Sequence, residues 1–376
     1  MSPLSITTSV LLVLDLVQPA AQSRTPLLPL NFPDPCIIQD TSTGTWYALA
    51  SGSWMQNSTG HRFHPQASRR WNHVQVASAS IPPPPSPSTS SSPPSTPPPP
   101  PTTWNWTYLP EADPLPTPGA WAHPMQGSQT WAPAVARLND TAYVLYYAAQ
   151  LAGKNAHYHC IGAATSSSPG KGGILGPYDP LPRPVVCPLH AGGAIDPAAF
   201  RDPATGRRYL LYKVDGNSMG RGGECNNGVA PFMRTPIVLQ EVDARDGVTA
   251  VGDGVEVLDR DWEMDGPLVE APDLVYLDRG FGEGGREGSV NYAVAGNITG
   301  PYERPKGTGP LIKTGDGFDV TAPGGAAAAP DSGWMLFHGH CPHGRCLFGA
   351  VLKVKSEYDH SDDLVDWLGA CLLVLW

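Results

Sequence analysis

Apolar and polar residues alternate in short runs along most of this chain, and each run ends at a turn. TWYALAS (45–51), YVLYYAAQ (143–150), RYLLYKV (208–214) and WMLFHGH (334–340) have the length and the aromatic or β-branched content of buried strands. A proline-containing lead-in recurs ahead of such segments: FPDPCII, WAPAVA, IDPAAF, EAPDLV and TAPGGA. A Gly- or Asp-bearing turn separates each lead-in from its aromatic strand. A third strand can follow in HVQVASAS, HCIGAATSS, PIVLQEVD, VNYAVAG and CLFGAVLKV. GPYDP at 176 and GPYER at 300 close two of the units in the same way. Five such antiparallel units predict an all-β fold, a five-bladed β-propeller whose blades surround a central channel. A β-sandwich with accidental internal similarity is the alternative.

The fourth unit breaks the pattern. After EAPDLVY, the text LDRGFGEGGREGS is too rich in glycine and charge for the aromatic second strand, so an incomplete fourth blade is expected. Residues 81–103, IPPPPSPSTSSSPPSTPPPPPTT, are about half proline and cannot build a core. Strand-like text on both sides makes this tract a surface insertion within a propeller spanning 31–354. Residues 355–376 form an atypical tail whose apolar end reads as a helix or a frayed extension. Residues 1–23 read as a signal peptide: Val10–Val17 forms a short apolar core interrupted by Asp15, and Ala20 and Ala21 lie near a cleavage position.

Composition narrows the partners. The 376 residues carry a net charge of −10, which argues against nucleic acid and anionic membranes as partners. The 41 glycines and 43 prolines exclude a helical fold. No apolar run is long enough for a membrane-spanning helix. Seven cysteines include no CxxC pair, so zinc is not expected, and the odd number leaves at least one thiol free if the others pair. Sequons at Asn57, Asn105, Asn139 and Asn297 are compatible with a glycosylated secreted protein; a monomer is expected.

Acids recur at the lead-ins: Asp34 in NFPDPCI, Asp196 in GGAIDPAAFRD and Glu270 in LVEAPDLVY. The first strand of each propeller blade lines the axis, so these three would converge at one end. Repulsion among close carboxyls raises at least one pKa, which leaves one group protonated beside an ionised neighbour. Glycoside hydrolysis uses that combination. The bland alternative is structural, because Asp-Pro is a common turn dipeptide. Turn positions explain Asp202 and Asp215. Asp273 is expected to face away or mark a strand edge. Lys213, in YKVDGN, is a candidate to reach the pocket.

The phrases FPDPCII, WYALAS, VQVAS, WAPAV, YVLYYAA, GGAIDPAAFRD, YLLYKVDGN, LVEAPDLV, NYAVA and MLFHGH, in that order, resemble glycoside hydrolase family 43, in particular its secreted fungal members. The resemblance implies a five-bladed propeller and an inverting glycosidase for arabinose- or xylose-containing plant carbohydrates. It places Asp34 as general base, Asp196 as modulator of the acid's pKa and Glu270 as general acid. Trp131, His338 and Arg345 become candidate substrate contacts, with Trp54 a further aromatic. No cofactor is required. Some members bind calcium near the axis through a histidine, but here APGGA (322–326) lacks a histidine that many relatives carry after PG, and no Asp-rich loop is present. WAPAV carries Ala134 where relatives usually have aspartate. A non-catalytic carbohydrate-binding propeller derived from such an enzyme is the alternative function.

Overall fold

The computed structural model describes residues 25–54, 71–80, 104–124, 130–166, 173–277, 289–304, 310–315, 320–329, 334–342, 344–351 and 369–375. The signal-peptide segment and the proline tract lie outside these residues. Five antiparallel sheets follow one another along the chain. The first holds β1 (Cys36–Gln39), β2 (Thr45–Trp54), β3 (Trp71–Ser80) and β4 (Asn105–Tyr108). β3 and β4 flank the proline tract and pair directly, with Ser80 opposite Asn105. The second sheet holds β5 (Thr130–Arg137), β6 (Tyr143–Gln150), β7 (His159–Ser166) and β8 (Tyr178–Pro180). The third holds β9 (Ala194–Arg201), β10 (Arg208–Val214), β11 (Ile237–Val242) and β12 (Val255–Leu258).

Side-chain alternation explains why these sheets close into a ring. Successive residues of a strand point to opposite faces, and here both faces meet a neighbouring sheet. Leu49 of β2 packs with Leu145 and Tyr147 of the second sheet. Val144 and Tyr146, one residue out of phase, pack with Leu210 and Val242 of the third. Tyr209 and Leu211 pack with Leu274 and Ala293 of the fourth. Val290 and Tyr292 of that sheet meet Met335, Phe337 and Phe348 of the fifth. Leu336, between Met335 and Phe337, turns back to Trp46 and Trp106 of the first. Five apolar clusters thus fill five inter-sheet gaps, which is the arrangement of a five-bladed β-propeller.

The fourth blade is complete, and by an unforeseen route. Its innermost strand is β13 (Glu270–Leu277), followed outward by β14 (Ser289–Ala295) and β15 (Ile312–Lys313). The fifth blade follows in β16 (Thr321–Ala329), β17 (Trp334–Cys341) and β18 (Gly344–Val351). The last strand, β19 (Gly369–Leu375), then returns to the fourth blade and lies between β13 and β14. Glu270 and Val290 both pair with Leu375. The apolar end of the tail is therefore a strand rather than a helix, and it occupies the place where an aromatic second strand was missing. At the other end of the chain, Leu27 donates its N–H to Leu347 O (2.8 Å) and Phe32 to Arg345 O (2.6 Å), so residues 27–32 run along the outer edge of β18. Disulfides join Cys160 to Cys187 and Cys341 to Cys346, while Cys36 and Cys225 are free thiols.

Candidate active site

One backbone device recurs in all five blades. Asp34, Ala132, Asp196, Ala271 and Ala322 each precede a proline at the start of an innermost strand, and all have positive φ, between 43° and 55°. Such a conformation costs a non-glycine residue roughly 1–3 kcal/mol and persists only where its surroundings enforce it. In blades two to five the strand register shifts at or close to this residue. A bulge of this kind re-aims side chains and removes backbone groups from the ladder. Backbone groups here find partners on the preceding blade of the ring. Ala271 N–H donates to Asp196 Oδ2 (2.9 Å), and Ala132 N–H donates to Ser51 Oγ (2.9 Å). Asp34 N–H faces His338 Nδ1 at 3.0 Å, and Ala328 N–H, further along β16, donates to Asp273 Oδ2 (2.6 Å).

Asp34 and Asp196 occupy the same position in their blades, and Glu270 lies one residue ahead of it. All three come to one end of the axis, where the Asp196 carboxyl is close enough to feel both Glu270 and Asp34. A cavity of about 620 Å³ runs along the axis beneath them, lined among others by Asp34, Cys36, Ala134, Asp196 and Asp273. Asp273 thus lines the channel, contrary to the sequence expectation that it faces away. It stands two residues after the positive-φ residue, the place Cys36 and Ala134 hold in their blades.

The three acids differ in electrostatic setting. Burial alone would raise the Asp34 carboxyl, but His338, Arg345 and the Ser51 hydroxyl together hold it below the usual carboxylate range. Ser51 Oγ donates to Asp34 Oδ2 (2.7 Å). His338 Nδ1 is 3.3 Å from Oδ1 and Arg345 Nη1 3.8 Å. A neutral His338 ring accepts the Asp34 N–H, while a protonated one donates to the carboxylate. Asp196 is pushed the other way, to about 8, by burial and by the charge of Glu270, with Lys213 opposing. Burial likewise lifts Asp273 to about 7. Glu270 keeps 37 % of its side chain exposed, so it is open to a ligand.

Lys213 joins these acids to the second layer. Its side chain has no exposed surface, and Nζ lies 3.0 Å from Glu270 Oε2 and 3.2 Å from Asp215 Oδ1. Burial disfavours the ammonium, but the charges of Glu270, Asp215 and Asp196 outweigh it and raise its pKa. Asp215 therefore does more than begin a turn. The signal for Lys213 was present in the sequence: it shares a strand face with Tyr209 and Leu211, which pack on the blade that carries Glu270.

Trp131 holds in blade two the position of Glu270 in blade four, and its ring stacks on His159 with centroids 4.1 Å apart. Trp54 meets Trp71 edge-on at 5.2 Å. Glycines allow close approach nearby: a Cβ on Gly193 would lie 2.2 Å from His159 O. At Gly325, where many relatives have a histidine, a Cβ would lie 2.6 Å from His338 Nδ1 and 2.9 Å from Asp34 Oδ1. The His338 ring fills that space. Among the described residues, no group of three or more His, Cys, Asp or Glu is placed to hold a metal ion.

A five-bladed propeller with carboxylates gathered at one end of its channel is the frame of a glycosidase. The chain belongs to the glycosyl hydrolases family 43, whose family model matches residues 104–356. A probable arabinan endo-1,5-α-L-arabinosidase D of Emericella nidulans is 38% identical over 88 residues, which cover 22% of this chain and 22% of that protein. Among solved structures, the endo-arabinase of Bacteroides thetaiotaomicron superposes with a TM-score of 0.54 at 16% identity, covering 88% of this chain and 97% of that one. A thermostable family-43 glycoside hydrolase gives 0.55 at 20% identity, covering 90% and 98%. An α-L-arabinanase of Cellvibrio cellulosa gives 0.52 at 17%, covering 87% and 94%.

Proposed function

We propose that this protein is a secreted glycosidase that hydrolyses arabinose- or xylose-containing plant carbohydrates with inversion, and that arabinan is its first substrate to test. The observation that carries the reading is the opposite setting of the two aspartates: Asp34 is held ionised, while Asp196 holds a proton near neutral pH beside Glu270. Asp34 removes a proton from water as the water attacks the anomeric carbon. The departing oxygen takes a proton from Glu270 on the opposite face. Burial and the charge of Glu270 hold a proton on Asp196 in a range where lone carboxyls are ionised. Glu270, being partly exposed, is the member of the pair that delivers a proton. Lys213 orients the Glu270 carboxyl and limits the charge that builds up in the cluster.

The choice of arabinan rests on the Emericella nidulans relative, whose name specifies that polymer. Secretion is supported by the two disulfides, which suit an oxidising compartment, and by the exposed sequon residues Asn105, Asn139 and Asn297. The test is hydrolysis of linear arabinan, an aryl arabinofuranoside and an aryl xyloside by the purified protein, with the anomer of the first-formed product read by NMR. Release of the inverted sugar supports the reading. Retention of configuration, or no release from any of the three, overturns it.

A further inference from the structure

We infer that the loops 228–233 and 260–264 of the third blade form a carbohydrate-docking platform outside the acid-lined site, seating a neutral polysaccharide chain that runs on from the mouth of the channel. This inference rests on the proposed glycosidase function for the identity of the chain.

The position follows from strand register. Ile195, Lys213, Ile237 and Leu258 form one row across the third blade, at the end where Asp196 sits. The chain before Ile237 and the chain after Leu258 therefore both lie on the face that carries the acids. From the second of these it continues directly to Glu270. Of the six large hydrophobic side chains exposed among the described residues, four fall on these two loops: Val229, Phe232, Trp262 and Met264. Phe232 and Trp262 stack on each other with centroids 4.4 Å apart, yet are 44% and 46% exposed. The Arg260 guanidinium stands 5.6 Å and 5.1 Å from the two ring centroids. An exposed apolar cluster of this kind marks a binding surface. Aromatic rings offer flat faces to the C–H faces of sugars, and the neighbouring guanidinium suits their hydroxyls.

The base beneath the rings is fixed before any ligand arrives. Asn227 has no exposed surface; its Nδ2 donates to Met233 O (2.9 Å) and Pro267 O (2.6 Å), and its Oδ1 accepts from Met233 N–H (2.7 Å). Asp265, also buried, accepts the Asp261 N–H (2.6 Å) and pairs with Arg304. Arg260 Nε donates to Met233 O at 3.3 Å. Two loops that hold exposed aromatics on a buried polar clamp are preorganised, which lowers the entropy lost on binding.

The experiment is affinity electrophoresis in gels cast with linear arabinan, with arabinoxylan or with no polymer. It uses the full chain carrying Glu270→Gln, so that the polymer is not consumed. Retardation by either polymer is expected. Adding Phe232→Ala and Trp262→Ala should weaken it about tenfold, the loss of an aromatic anchor, while Trp262→Phe should keep most of it. Circular dichroism confirms that each variant is folded. Unchanged retardation in a folded double-alanine variant overturns the platform. So does a change confined to oligomeric state on size exclusion, which would assign the patch to a protein partner. The glycosidase reading is judged separately, by hydrolysis with the unsubstituted protein: retardation that depends on Trp262 without any hydrolysis would leave the platform standing and remove the enzyme.

Discussion

Lys213 crosses from the third blade to the fourth to meet Glu270, Nζ to Oε2 at 3.0 Å, without exposing any of its own surface. A buried ammonium is tolerated only when paired, and here two carboxylates pair it. Replacing it with Met should leave Asp215 and Glu270 uncompensated. We expect a loss of about 3–5 kcal/mol in unfolding free energy, read by denaturant titration. The basic limb of the pH–rate profile should also move to higher pH, because the acids lose the cation that favours their charged forms. A profile that stays in place would confine Lys213 to a structural role.

Glu270→Gln tests the acid directly. General acid–base catalysis is typically worth about 10²–10⁴-fold, so turnover of arabino-oligosaccharides should fall by that factor or more. An aryl glycoside, whose leaving group needs less protonation, should lose less. Equal losses on both substrates would place Glu270 in binding instead.

Stability should depend on pH in a specific direction. Asp196 and Asp273 have folded values of about 8 and about 7 against 3.8 for an ordinary carboxyl. The native state therefore binds more protons than the unfolded chain over that range. Their contribution is complete below 3.8 and is lost as pH rises through about 7 and about 8. Asp34, lowered in the fold, runs the other way and loses its contribution as pH falls through its folded value. The melting temperature should thus decline from about pH 5 to about pH 8, and Asp273→Asn should flatten that decline. An identical slope in the variant would remove Asp273 from the account.

Ending the chain at 368 should open the fourth blade. Both β13 and β14 pair with β19, so its removal leaves two facing edges without a partner. We expect the melting temperature to drop by roughly 5 °C or more, with aggregation on heating. A separate peptide of residues 369–376 should restore part of the loss.

The five lead-ins and the three acids were legible because each is a local pattern repeated at similar spacing. The five-fold positive φ before proline gives that repeat its physical basis. Regular alternation would turn Asp273 away from the face of Glu270, whereas the register shifts between Glu270 and Asp273 and brings Asp273 to the channel. Lys213 stands out as a charge in an apolar run, but of its two partners only Asp215 is local, while Glu270 comes from another blade. The strand β19 was illegible for a different reason: its neighbours are remote in sequence, and no local signal states which sheet an apolar heptamer will join.

That remote pairing sets an order of events during synthesis. Blades one to three can assemble while the chain is still emerging. The strand that begins with Glu270 finds its neighbour only in residues 369–375. The nascent polypeptide therefore carries Asp34 on a completed sheet before the strand of Glu270 has its in-sheet neighbour.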